Sequence, residues 1–324
     1  MFRYVFCCFS ILYALAVSFS LVGIVKASSG DRSDIYQSCL KWCTAENCSD
    51  ADNIAHFATH QSWHLTVLGW NCDDECEYQC MWDAVYDFRK RKQPIPQFHG
   101  KWPFIRILGI QEPASALFSV LNGYSHYYMW QKFTQAVPIS SPNYVIWNIQ
   151  AILSINAWIW STAFHTRDTP ATEKLDYFCA FSIVLYAFYC LVIRTFRNNY
   201  EWLSIVVSVP FLGYFFYHIY YLTFIHFDYG YNMKANIFIG VTNSIGWLFW
   251  CYKNRYKRYV WKCAISVVMV NILLLLELGD FPPWNFLLDA HALWHLGTIP
   301  LPFFWYWFLI DDCLYELADK SKKK

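Results

Sequence analysis

Two histidines, His291 and His295, lie four residues apart within an apolar stretch near the end of the chain. In a helix this spacing places both imidazole rings on one face. A buried imidazole without a partner is unfavourable, and an ionisable residue inside a membrane segment is by default a candidate for function. The pair therefore directs attention to other polar residues that reach the same place.

Three more residues complete a plausible chemistry. Ser161 and His165 lie one helical turn apart at the end of a second apolar stretch, and Asp176 begins a third. Three histidines, His165, His291 and His295, with an open fourth position describe a catalytic zinc site, in which bound water has a pKa of about 7. Asp176 would accept a proton from that water, and Ser161 would hydrogen-bond the substrate carbonyl or the developing oxyanion. The alternative is that each is a hydrogen-bonded core residue that holds helices together.

The composition identifies the elements that must position these residues. The 324-residue chain is 56% hydrophobic and 21% aromatic but only 15% charged, whereas about 25% of a soluble domain is charged. The apolar residues fall into seven runs of roughly 20 residues, the length that spans a bilayer. These runs are 105–130, 144–164, 177–196, 202–225, 235–252, 259–278 and 288–310. The sequence predicts an all-α, seven-transmembrane helical bundle, and the absence of a basic tract interleaved with aromatics excludes a nucleic-acid-binding protein.

Six cysteines mark a polar segment before the first run. They are Cys39, Cys43, Cys48, Cys72, Cys76 and Cys80. This density predicts three disulfides in an oxidising compartment, in pairings that the sequence leaves open. A zinc ribbon is the competing interpretation, but its cysteine pairs usually enclose two residues, and here the gaps are three or four. The predicted form is a small helical cap that the disulfides hold together.

The N-terminus and the basic residues predict the orientation. Residues 1–27 combine Arg3, a long apolar stretch and a small residue before Ser28, which is typical of a cleaved signal peptide, with an uncleaved anchor as the alternative. The predicted divisions are then a lumenal cap and linker at 28–104, a membrane domain at 105–310 and a cytosolic tail at 311–324. Asn47, in the sequon Asn47-Cys48-Ser49, is a predicted glycosylation site of the lumenal segment.

This orientation brings the candidate residues to one side of the membrane. Most lysines and arginines between the runs then lie in cytosolic connections, as the positive-inside rule requires. The second run ends in the lumen with Ser161 and His165, while the third and seventh begin there with Asp176 and the histidine pair. Glu112 lies near the lumenal start of the first run, where it is either a partner of the site or an ordinary interface residue.

The order of these residues along the chain resembles the CREST superfamily of seven-span membrane hydrolases. The resemblance is carried by Glu112, Ser161-x-x-x-His165, Asp176 and His291-x-x-x-His295. The cysteine-rich segment and the stretches 97–104, 280–283 and 289–295 are similar to the Per1-like family within that superfamily. This resemblance implies zinc held by the three histidines, with Asp176 and Ser161 in the catalytic shell.

The resemblance also implies a substrate and a location. Per1-like proteins remodel GPI anchors, hydrolysing the unsaturated sn-2 acyl chain of the GPI phosphatidylinositol to give lyso-GPI. The implied partners are GPI-anchored proteins, as lipid substrates, and the implied location is the Golgi membrane, with the endoplasmic reticulum as the alternative. A ceramidase-like amidase remains open because the same site suits an amide carbonyl. A seven-span lipid receptor or escort without turnover is the third interpretation.

Overall fold

The computed structural model describes residues 28–196 and 202–323, and the predicted signal peptide at 1–27 lies outside them. Within these residues the chain is helical, with isolated β-bridges and no strand. The N-terminal cap contains α1 (Asp34–Asn47), α2 (Ala51–His60), α3 (Trp63–Val67) and α4 (Cys72–Lys90). The bundle contains α5 (Pro113–Ala136), α6 (Tyr144–Thr166), α7 (Pro170–Phe196), α8 (Leu203–Tyr220), a π-helical turn (Tyr221–Ile225), α9 (Tyr229–Lys253), α10 (Val260–Gly279), α11 (Ala290–Thr298) and α12 (Leu301–Lys323).

Three disulfides hold the cap together and confirm the prediction from the cysteine spacing. They join Cys39 to Cys80, Cys43 to Cys76 and Cys48 to Cys72. The first cysteine of the first three pairs with the last cysteine of the second three, and so on inward. The segments that carry them, α1 with Cys48 just after it and α4, therefore run antiparallel. All six sulfurs are bonded, so they are not free to ligate zinc. The Asn47 side chain donates to the Cys43 carbonyl at 3.0 Å, and its glycosylation stays a prediction.

One contact between the cap and the bundle is a tryptophan that lies between two arginines. The guanidinium carbons of Arg106 and Arg167 lie 3.3 and 3.7 Å from ring centroids of Trp70. Its indole N–H donates to the Gly109 carbonyl at 2.8 Å. Arginine stacks favourably on aromatic faces. The junction is therefore built from directional contacts that set the orientation of the cap.

Three helices of the described chain are long and apolar enough to cross a membrane. They are Pro170–Phe196, Ser204–Ile225 and Val260–Gly279, with mean hydropathies of 1.9, 1.5 and 1.9. Other predicted spans carry polar side chains in the bundle interior, including the buried residues Ser119 and Asn122 on α5. Such side chains lower the mean hydropathy of a helix without facing lipid. The protein is thus an all-helical membrane protein, and the count of seven spans stays a prediction.

The first and last predicted runs differ from the helices that form. At the start, residues 105–112 make a turn in which Leu108 and Gly109 have φ values of 52° and 80°, and α5 begins only at Pro113. At the end, Pro300 separates α11 from α12, because proline lacks the amide hydrogen that a continuous helix requires. Residues 311–323, predicted as the cytosolic tail, continue α12.

A buried ion pair joins α7 to α12 at the end of the bundle opposite the three histidines. Nε and Nη2 of Arg194 lie 2.5 and 2.8 Å from the two carboxylate oxygens of Asp312, which is 0% exposed. The Tyr259 hydroxyl donates to the same carboxylate at 2.7 Å, and Glu316 lies 3.0 Å from Nη1 of Arg194. The main apolar core, which includes Trp147, adjoins this end. These contacts fix how the long helices are aligned.

Candidate metal centre

Two helix ends bring the three predicted histidine ligands together. His165 lies in the last turn of α6, and His291 and His295 lie one turn apart on α11. The side chain of Asp289 accepts from the Ala292 N–H at 2.7 Å, so Asp289 is the N-cap of α11. This cap fixes where the helix starts and hence which face presents the two imidazoles.

A glycine lets α11 approach α10 closely. A Cβ atom at Gly297 would lie 2.2 Å from Cδ2 of Leu273, far inside normal contact distance. Any larger residue would therefore displace Leu273 or push the two helices apart. The short distance between these helices brings the end of α10 within reach of the histidines.

The Nε2 atoms of the three histidines face one another. Nε2 of His291 lies 3.3 Å from Nε2 of His165 and 2.8 Å from Nε2 of His295. One ligand nitrogen from each ring lies within 4.8 Å of the other two. His165 and His295 are each 2% exposed. Tetrahedral zinc with Zn–N distances of 2.0–2.1 Å would separate neighbouring ligand nitrogens by about 3.3 Å. One separation has this value and the other is shorter, so the three nitrogens are close enough to share one ion.

The second ring nitrogen of each histidine, Nδ1, contacts a different partner. Nδ1 of His291 lies 2.5 Å from Oε2 of Glu277, and Nδ1 of His165 lies 2.7 Å from Oε2 of Glu112. Nδ1 of His295 lies 3.3 Å from the Ser119 hydroxyl. A carboxylate is an acceptor, so it makes Nδ1–H the donor and leaves a lone pair on Nε2. Lone pairs that face one another repel, and a shared cation satisfies all of them.

Glu112 is also bound from the cap side. Its Oε1 accepts from the Lys101 ammonium at 2.8 Å, and its backbone N–H donates to the His165 carbonyl at 2.9 Å. Lys101 lies 2.9 Å from Asp168 as well. Burial by itself lowers the pKa of Lys101, but the two carboxylates outweigh that effect and hold its pKa above the ordinary value. The structure thus places Glu112 against a histidine, and its role as a partner of the site stays a prediction.

Ser161 and Asp176 occupy different positions relative to the histidines. The hydroxyl of Ser161 lies 3.1 Å from that of Ser119 and so reaches His295 only indirectly. Asp176 is half-buried near the start of α7 and interacts electrostatically with His291. No hydrogen bond or ion pair joins the Asp176 side chain to the residues that the structure describes. Its carboxylate is therefore available to a water or a substrate.

Three residues of the centre were not singled out from the sequence. Glu277 is the only acidic residue in α10, and the reasoning that drew attention to His291 applies equally to it. Ser119 gives no such signal, because a serine in a membrane helix commonly bonds to its own backbone, as Ser119 also does at Ser115. Lys101 lies in a linker, where a lysine is ordinarily solvated.

Comparison with known proteins agrees with the resemblance read from the residues. The Per1-like family matches residues 62–313. The GPI-specific phospholipase A2-like PGAP3 of Danio rerio is 46% identical over 307 residues, 94% of this chain and 97% of that protein. The human protein of the same name is 43% identical over 301 residues, 93% of this chain and 94% of its own.

A third relative gives the same result. Post-GPI attachment to proteins factor 3 of Drosophila melanogaster is 43% identical over 292 residues, 89% of this chain and 90% of that protein. No solved structure matches the chain. Since the family matches most of the chain and these relatives are similar along nearly their whole length, the protein belongs to the Per1-like family.

Proposed function

We propose that this protein is a zinc-dependent acyl-ester hydrolase that removes the unsaturated sn-2 acyl chain from a GPI anchor and leaves lyso-GPI. The proposal rests on the convergence of three Nε2 atoms, each on a ring held from behind through Nδ1. The relatives are named GPI-specific phospholipase A2-like, and this name favours an ester of GPI over the amide of ceramide as the substrate. It also favours an enzyme over a receptor or escort without turnover.

The proposed architecture has seven spans, with the cap and linker at 28–104 in the lumen and the tail at 311–324 in the cytosol. The signal peptide at 1–27 would deliver the chain to the Golgi membrane, or to the endoplasmic reticulum as the alternative. In this orientation the metal centre lies at the lumenal ends of α6 and α11. An sn-2 ester lies just below the lipid headgroup, so its carbonyl and the centre share a depth. GPI-anchored proteins would then be partners only through their lipid.

The residues of the chain have separate roles in this reaction. His165, His291 and His295 would hold zinc, which polarises a carbonyl and lowers the pKa of bound water to about 7. Asp176 accepts a proton from the water while the water oxygen bonds to the ester carbon. It then returns the proton to the sn-2 oxygen as the bond between that oxygen and the ester carbon breaks. Ser161 donates a hydrogen bond to the carbonyl oxygen as negative charge develops there.

The substrate is tested in cells that lack the protein. Wild type, D176N and the control D311N, at the other end of the bundle, are re-expressed at equal levels, and GPI lipid species are measured by mass spectrometry. Wild type and D311N should remove the unsaturated sn-2 chain, and D176N should leave it in place. Full remodelling by D176N would refute the role of Asp176, and no change with wild type would refute the substrate.

The metal is tested on purified full-length protein. Wild type should contain zinc, and H291A should lose it. The matched control is H218Q, because His218 is a buried histidine bonded instead to Asn232. Equal zinc in wild type and H291A would exclude the proposed ligand set.

A further inference from the structure

The backbone of Lys101 belongs to the cap. Phe98 and Lys101 exchange both backbone hydrogen bonds, at 2.7 and 2.9 Å, across a tight turn. The two residues between them, His99 and Gly100, have φ values of 49° and 82°. Phe98 is 4% exposed and packs in the same apolar cluster as Tyr36 of α1. The position of Lys101 therefore follows the position of the cap core.

The side chain of Lys101 belongs to the metal centre. Its ammonium lies 2.8 Å from Glu112, 2.9 Å from Asp168 and 4.1 Å from the ring centroid of Phe164. Phe164 and Asp168 flank His165 in the chain, and the other oxygen of Glu112 bonds to the His165 ring. All three contacts of this ammonium therefore surround one ligand.

The charge of Lys101 determines what Glu112 can do. Glu112 is 6% exposed, and a buried carboxylate without a cation is costly unless it moves to solvent. A Glu112 side chain that moved away from Lys101 would no longer contact Nδ1 of His165, which now lies 2.7 Å from its Oε2. The His165 ring would then lose the partner that fixes its orientation.

We propose that Lys101 is a positioning residue that links the disulfide-bonded cap to the ligand His165. The position of the cap determines where Lys101 lies, and Lys101 acts through Glu112 on the orientation of the His165 ring. The inference rests on the proposed function, since it assumes that His165 holds a metal. The cap would then affect metal binding directly, in addition to any contact that it makes with the substrate.

Zinc affinity of the full-length protein in detergent, measured by competition with a chelator, tests this inference. Loss of an outer partner of a histidine ligand lowers metal affinity roughly 10- to 100-fold, and K101M should show such a loss. K101R keeps the charge and should retain more affinity than K101M. The control K262M removes a lysine that pairs with Asp311 and should bind zinc like wild type.

A double variant separates positioning from general damage. If Lys101 acts through Glu112, K101M/E112Q should bind zinc no more weakly than the worse of its two single variants. F98A, whose side chain lies in the cap core, should weaken zinc binding in the same direction as K101M. If K101M does not fold, K101Q takes its place with the same expectations.

Four outcomes would overturn the inference. Wild-type affinity in K101M, or additive losses in K101M/E112Q, would show that Lys101 does not act through Glu112. Wild-type affinity in F98A would separate the cap from the centre. If wild type itself binds no zinc, the proposed function fails and this inference fails with it.

Discussion

Glu277 and His291 join two helices across the loop between them, with Oε2 of the first 2.5 Å from Nδ1 of the second. Glu277 lies in the last turn of the apolar helix α10, and His291 lies in the first turn of α11. Together with the Glu112–His165 pair, this contact means that two of the three proposed ligands have a carboxylate at Nδ1. We therefore expect the proposed centre to depend on residues beyond its ligands.

Replacing Glu277 with glutamine should weaken zinc binding without unfolding the protein. An amide oxygen can still accept from Nδ1, but it lacks the charge that raises the basicity of the ring. We expect zinc affinity to fall roughly 10- to 100-fold, as measured by chelator competition. E316Q, at the opposite end of the bundle, is the control and should not change zinc affinity. An affinity in E277Q equal to that of wild type would remove Glu277 from the centre.

The two serines should separate metal binding from turnover. Ser119 contacts the ring of His295, so S119A should lower zinc affinity. Among the described side chains the Ser161 hydroxyl is hydrogen-bonded only to Ser119, so S161A should keep its zinc. If Ser161 donates to the oxyanion, release of fatty acid by S161A should fall about 10²- to 10³-fold. Loss of zinc from S161A, with turnover per bound zinc unchanged, would contradict this division.

Two neighbouring aspartates should differ sharply in their effect on stability. Asp312 is fully buried against Arg194, and D312N leaves a buried charge poorly compensated, which costs about 3–5 kcal/mol. Asp311 forms a partly exposed pair with Lys262, and such pairs contribute roughly 0–1 kcal/mol. Thermal unfolding in detergent should show a large decrease for D312N and little change for D311N. Equal shifts would mean that the ion pair does not align α7 and α12.

Removal of the central disulfide should loosen the cap. The double variant C43S/C76S loses a cross-link between α1 and α4, which in small domains stabilises by about 2–5 kcal/mol. The cap should be cleaved faster by a protease added to the folded protein. C179S, which changes a cysteine outside the disulfides, is the control. A cap as resistant as wild type would show that the remaining two bonds suffice.

The centre was predictable where local geometry carried the signal. The four-residue spacing of His291 and His295 by itself placed both rings on one helix face. His165 required the orientation of a second helix, and the basic residues of the connections supplied it. The regular spacing of Cys72, Cys76 and Cys80 likewise predicted a helix held by disulfides, although the pairing needed the antiparallel packing of α1 and α4.

The rest depended on the path of the chain between helices, which residue spacing within a helix does not reveal. Lys101 and Glu112 meet because a tight turn in the linker aims one at the other. The prediction of helix boundaries was limited for another reason. A proline in a membrane segment can lie within a continuous helix or can separate two helices. Pro210 lies inside α8, whereas Pro300 divides the predicted last span, 288–310, into α11 and α12. Composition alone does not distinguish these cases.

The interruption at Pro300 has a mechanical consequence. A continuous helix moves as one rod when the bilayer thickens or the helix tilts, and it would carry any ligands on it along its axis. Because α11 ends before α12 begins, we expect α12 to adjust its tilt while α11 stays against α10. The ligand pair would then keep its place in membranes of different thickness.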